Sequence, residues 1–100
     1  MADTAVANKE SVRSRVKEPK KFKVLILNDD YTPMDFVVAI LVTIFKHSET
    51  SAAKVMMQVH NDGSGVAGIY NYEIAEQKHI EACTVAKDNG FPLQFKVEPE

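Results

Sequence analysis

The chain has a single cysteine, Cys83, no tryptophan, and only four glycines and four prolines among its 100 residues. One cysteine cannot close an internal disulfide, so nothing points to an oxidising compartment, and a thiolate zinc knuckle is excluded. Gly63-Ser64-Gly65 lacks both the length and the lysine of a phosphate-cradling loop. Neither sign of charge dominates: the formal net charge is −2, which argues against a general affinity for nucleic acid or anionic lipid. The most apolar stretch, Phe36 to Phe45, is shorter than the roughly 20 residues of a membrane-spanning helix. The amino-terminal MADTAVANKESVRSRVKEPKK has no apolar segment of the secretory kind. The expectation is a cytoplasmic monomer with no membrane or nucleic-acid partner.

What is present suits one small domain. Hydrophobic residues make up 45% and charged residues 26%, an ordinary balance for a globular chain. In the first twenty residues the bases Lys9, Arg13, Arg15, Lys17 and Lys20 stand among almost nothing large and apolar. Such a segment cannot bury enough surface to offset its ordering entropy, so residues 1–20 read as a flexible tail and 21–100 as the folded core.

Within the core, Phe22 to Leu27 reads as a buried strand, and Asn28 to Pro33 as a turn. Thr32-Pro33-Met34-Asp35 resembles a helix start with Thr32 as N-cap and Pro33 in the first position. The β-branched run that follows permits a strand, but the start signal and its length, to Lys46 or His47, favour a helix. Ser48 or Thr50 can cap a second helix ending at Asn61-Asp62-Gly63. Gly65 to Tyr70 reads as a second strand, and Asn71 or Tyr72 opens a third helix that Gly90 terminates. Leu93 to Val97 alternates as a half-exposed strand should. The order β-α-α-β-α-β implies an α+β fold: a small three-stranded antiparallel sheet with three helices.

Two groups of residues could carry chemistry. Helical spacing puts Met56, Val59 and His60 on one face. Packing alone explains an apolar stripe ended by a histidine. Asn28, Asp29 and Asp30 sit in a strand-to-helix turn, where backbone bonding and capping account for one or two of them. Three in succession exceed that need. A catalytic reading could pair Cys83 with His79, four residues apart, but the pair shares a helix face with Ala75, Ala82 and Ala86 and suits a packed interior. A metal site drawn from Asp29, Asp30, His60 and Asp62 lacks tight ligand spacing. Neither an enzyme nor a metal or cofactor site is expected. Carboxylates and an amide beside an apolar wall suit a ligand with a cation next to a large hydrophobic group. A protein amino terminus with a bulky first residue is one, its amine having a pKa of about 7.7–8.0.

The motifs LNDDYTPMDFVV, MMQVHNDG, GVAGIYNYEIAEQK and PLQFKVE, with no gap needed between them, closely resemble the bacterial ClpS family over about residues 20–98. ClpS proteins are adaptors that recognise N-degrons and deliver them to the ClpA unfoldase of the ClpAP protease. The resemblance implies that Asn28, Asp29 and His60 hold the substrate's α-amino group. Its first side chain, Leu, Phe, Tyr or Trp, would enter a pocket falling on Leu27, Asp30, Thr32, Met34, Val37, Met56, Val59 and Leu93. Met34 would exclude β-branched first residues. Glu73 and Lys78, with Glu76 beside them, would dock on a ClpA-type AAA+ unfoldase, and the tail would take part in hand-over. An alternative is a Clp-ATPase-docking domain that recognises another signal. His79, Ala82 and Cys83 thin a helix stripe that is more apolar in relatives, which implies lower stability.

Overall fold

The structure is a computed structural model, described over residues 20–100. The flexible tail predicted over 1–20 lies, apart from Lys20, outside the described residues. The elements run β1 (Lys21–Leu27), α1 (Met34–Thr43), α2 (Glu49–Asp62), β2 (Ser64–Asn71), α3 (Tyr72–Asp88) and β3 (Gln94–Pro99). β1 is the central strand and lies antiparallel to both neighbours, in the order β2-β1-β3. This is the α+β architecture expected from the sequence.

Alternation along β1 decides which face is buried. Val24 and Ile26 are fully enclosed, whereas Lys23 lies on the opposite face with Lys96 and Glu98 of β3. The three helices and the enclosed face of the sheet share one core: Val37, Ile40 and Leu41 from α1, Ala52 and Val59 from α2, and Ala75, Ala82 and Ala86 from α3. The alanines of α3 let that helix lie close against all three strands. Phe45 stacks on Phe95 at 6.1 Å between ring centroids, and Phe36 meets Phe91 at 4.6 Å. Gly65 allows β2 to run against α2: a Cβ there would stand 2.9 Å from Val59 Cγ2 and 3.3 Å from the Val55 carbonyl.

The caps resolve the choices the sequence leaves. Ser48 caps α2, its side chain accepting from the Ser51 N–H at 3.1 Å, and Asn71 caps α3 by accepting from Ile74 N–H at 3.0 Å. Gly90 takes a positive φ of 78° just beyond α3, as a terminator should.

Two expectations are corrected. Pro33, not Thr32, is the N-cap of α1, and no side chain caps it; the Thr32 hydroxyl is turned to Asp29 instead. α1 also ends at Thr43 rather than at Lys46 or His47. Ile44 and Phe45 are both buried and extend the stripe of Val37, Ile40 and Leu41 at helical spacing, but Lys46 takes φ 62° and turns the chain out of the helix. His47 then pins the corner, its Nε2–H donating to the Ala67 carbonyl at 2.6 Å while Nδ1 meets the Ser51 hydroxyl at 2.7 Å.

Candidate functional site

The site is assembled where β1 ends. The Asn28 N–H donates to the Gly63 carbonyl at 2.9 Å. Gly63 closes α2 in the left-handed region (φ 89°), its own N–H bonded to Val59 C=O at 2.9 Å. One backbone bond therefore joins the first residue after β1 to the C-cap of α2. Met56, Val59 and His60 project from the end of α2 at the i, i+3, i+4 spacing of a single face.

Asp29 shapes the turn that follows. Its Oδ1 accepts from the N–H groups of Tyr31 at 2.8 Å and Thr32 at 2.7 Å, and its Oδ2 from the Thr32 hydroxyl at 2.8 Å. Partial burial pushes the Asp29 carboxyl up, but the bonds from Thr32 and Tyr31 together outweigh it and hold the group below the usual carboxylate value. The acid is thus kept charged while its loop is kept folded.

Asn28, Thr32, Met34, Val37, Met56, Val59 and His60 line one cavity of about 30 Å³. Polar atoms come from Asn28, Thr32 and His60, and the remainder is aliphatic or thioether. Asn28 also borders a second hollow of about 330 Å³, lined with it by Leu27, Asp29, Tyr31, Pro92 and Gln94. Of the remaining residues in the pocket implied by the resemblance, Asp30 is exposed and Leu93 is buried in the core; neither lines either space. Tyr31, Pro92 and Gln94 were not singled out from sequence. Gln94 is opposite Leu27 in the β1–β3 register, a neighbour that strand order reveals and residue spacing does not.

The other candidates sit elsewhere. Glu73 is exposed in the first turn of α3, and Glu76 is half-buried. Lys78 is occupied: its Nζ donates to the Ile44 carbonyl at 2.7 Å and lies 6.0 Å from the Tyr70 ring centre. Cys83 Sγ lies 3.7 Å from His79 Nε2, but that nitrogen also meets the Phe95 carbonyl at 3.1 Å. Burial pushes the Cys83 thiol up, the reverse of nucleophile activation. Among the described residues no group of three or more His, Cys, Asp or Glu could hold a metal ion, and no helix is long and apolar enough to cross a membrane.

Fold and site together define a small α+β domain with a polar-rimmed apolar crevice between the start of α1 and the end of α2, suited to taking a ligand at its surface. The family described as ATP-dependent Clp protease adaptor protein ClpS matches residues 17–96. The ATP-dependent Clp protease adapter protein ClpS of Treponema denticola is 52% identical over 81 residues, 81% of this chain and 80% of that protein. Its counterpart in Acetivibrio thermocellus is 43% identical over 100 residues, the whole of both chains. The solved structure of Agrobacterium tumefaciens ClpS2 bound to L-phenylalaninamide matches with a TM-score of 0.80 at 47% identity, covering 83% of this chain and 100% of that one. The chain belongs to the ClpS family of Clp protease adaptors.

Proposed function

We propose that this adaptor captures proteins by a free amino terminus with Leu, Phe, Tyr or Trp as first residue, and delivers them to a ClpA-type AAA+ unfoldase. Asn28, Asp29 and His60 hold the ammonium group, and the first side chain enters between Met34, Val37, Met56 and Val59. One observation carries the reading: a single cavity is lined by Asn28, Thr32 and His60 together with those four apolar side chains. The Agrobacterium neighbour is bound to L-phenylalaninamide, which presents an amine and a benzyl group on one carbon.

At about 30 Å³, the cavity has room for little more than a water molecule. A bulky side chain must therefore open it. Two of its walls, Met34 and Met56, are unbranched thioethers that repack with little strain, and Met34 is 47% exposed, free to swing outward. A β-branched first residue, broad at its Cβ, would meet Met34 at the mouth before reaching the space behind it.

Neither half of the interaction suffices alone. Burying a Leu or Phe side chain contributes about 1.5–3 kcal/mol, and each hydrogen bond to a charged amine about 1.5–3 kcal/mol. Two or three such bonds plus the pocket total roughly 5–12 kcal/mol before association costs are deducted, so the complex needs both. The pairing of charge with bulk on one carbon is what an amino terminus offers. Docking on the unfoldase uses the α3 surface around Glu73, Glu76 and Lys78.

Fluorescence anisotropy with labelled peptides beginning Leu, Phe, Tyr and Trp tests the capture step. Saturable binding that disappears on acetylating the amine is the expected result; equal binding of free and acetylated peptides would refute it. Co-purification with a ClpA unfoldase, weakened by Glu73→Lys, tests the docking step.

A further inference from the structure

The second hollow shares the Asn28 wall with the cavity. Its volume, about 330 Å³, is at the lower end of the ~300–1,000 Å³ of ligand pockets. Asn28 is a wall of both spaces, and Asp29, the second group assigned to the ammonium, lines the hollow rather than the cavity. An ammonium held by both residues is therefore at the junction of the two.

That position offers the bound chain a route. The first Cα of a substrate bears three heavy substituents: the amine, the side chain and the carbonyl that leads to the second residue. With the amine at the junction and the side chain in the cavity, the hollow lies within reach of the carbonyl. The lining suits a peptide continuing there. Leu27 and Pro92 supply apolar walls, Tyr31, a residue 79% exposed, a ring, and the Gln94 amide both a donor and an acceptor for a backbone group.

We infer that this hollow receives the second residue of the bound chain, with Tyr31 and Pro92 flanking its side chain and Gln94 pairing with the peptide group that follows. The inference rests on the amino-terminal reading above and extends it from one residue to two. It makes Tyr31 and Gln94 determinants of affinity for polypeptides and not for single amino-acid amides.

Calorimetric titration of the full chain with L-phenylalaninamide and with the tetrapeptide amide Phe-Leu-Ala-Ala separates the two. Wild-type protein should bind the tetrapeptide more tightly. Tyr31→Ala and Gln94→Ala should each weaken it about three- to tenfold, the worth of one lost contact, and leave L-phenylalaninamide within twofold. Both side chains are exposed, and circular dichroism of each variant checks that it is folded. Equal affinity of wild-type protein for the two ligands, or parallel loss of both in the variants, overturns the inference and leaves the amino-terminal reading standing. Failure of wild-type protein to bind either ligand removes that reading, and the inference with it.

Discussion

Asn28 and Gly63 are joined by one backbone hydrogen bond of 2.9 Å, and that bond brings a turn after β1 against the end of α2. It extends by one step the β1–β2 pairing that ends at Leu27 and Ser64. The bond depends on Gly63 holding φ 89°, where an L side chain costs about 1–2 kcal/mol. Nothing is within 4 Å of the position a Cβ would take, so the cost is conformational and not steric. Gly63→Ala should lower unfolding stability by about that amount in urea titration, and Gly63→Asn by less, since Asn tolerates the left-handed region. An Ala variant as stable as wild type would show that the chain takes another route out of α2.

Asp29 holds its loop together, and the proposed function gives it a second job at the ligand. Asp29→Asn keeps an oxygen to accept the Tyr31 and Thr32 N–H groups but removes the charge. It should cost at least tenfold in peptide affinity with little loss of stability at pH 7. Asp29→Ala should lose both, because three donors are left without their acceptor. Unchanged affinity in the Asn variant would refute the role assigned to the charge.

The same carboxylate sets an acid limb. Its folded pKa is depressed, so its contribution to stability is fully present above the unfolded value of about 3.9 and is lost as pH falls through the folded value. Wild-type stability should drop below about pH 4 more steeply than that of Asp29→Asn. Binding should also weaken above about pH 8, where the ligand amine loses its proton. Affinity that stays level from pH 7 to pH 10 would mean the amine is not the group recognised.

Much of this was legible in the sequence, for physical reasons that also explain what was not. The 3.6-residue period places Met56, Val59 and His60 together whatever the fold, and all three line the cavity. The turn residues and Pro33 mark the start of α1 to within one position. Thr32 illustrates the limit: a hydroxyl can cap a helix or bond a neighbouring acid, and only the turn's conformation chooses Asp29. The end of α1 lies earlier than the apolar pattern suggests because Ile44 and Phe45 keep the helical spacing while Lys46, at φ 62°, turns the chain away just beyond them, and no spacing rule marks that residue. Pro92 and Gln94 share a hollow with Asn28 and Asp29 because β3 pairs with β1, a meeting of segments more than sixty residues apart that no local pattern encodes.

Packing between β2 and α2 should control the cavity from behind. A Cβ on Gly65 would meet Val59 Cγ2 at 2.9 Å, the Gln58 side-chain oxygen at 3.2 Å and the Val55 carbonyl at 3.3 Å. The Gln58 side chain can move aside, but the Val55 carbonyl is helix backbone and cannot. Overpacking of this kind costs about 1–3 kcal/mol, and here it pushes Val59, a wall of the cavity. Gly65→Ala should therefore reduce both stability and affinity for peptides beginning with Phe. A variant with wild-type affinity would show that the pocket does not depend on how closely β2 lies against α2.

Lys78 separates a surface role from a structural one. Its Nζ donates to the Ile44 carbonyl, a group that α1 leaves unpaired as it ends, and so ties α3 to the buried corner that carries Ile44 and Phe45. A hydrogen bond from a charged donor is worth about 1.5–3 kcal/mol, reduced here because the lysine is only half-buried. Lys78→Met keeps the aliphatic stem and removes the donor, and should lower stability by about 1 kcal/mol. Glu73→Gln, on an exposed side chain of the same helix, should stay within about 0.5 kcal/mol of wild type. Urea titrations of the two variants read the difference directly. If Lys78→Met were as stable as wild type, the bond to Ile44 would carry no weight and any loss of unfoldase capture in that variant would belong to the surface alone.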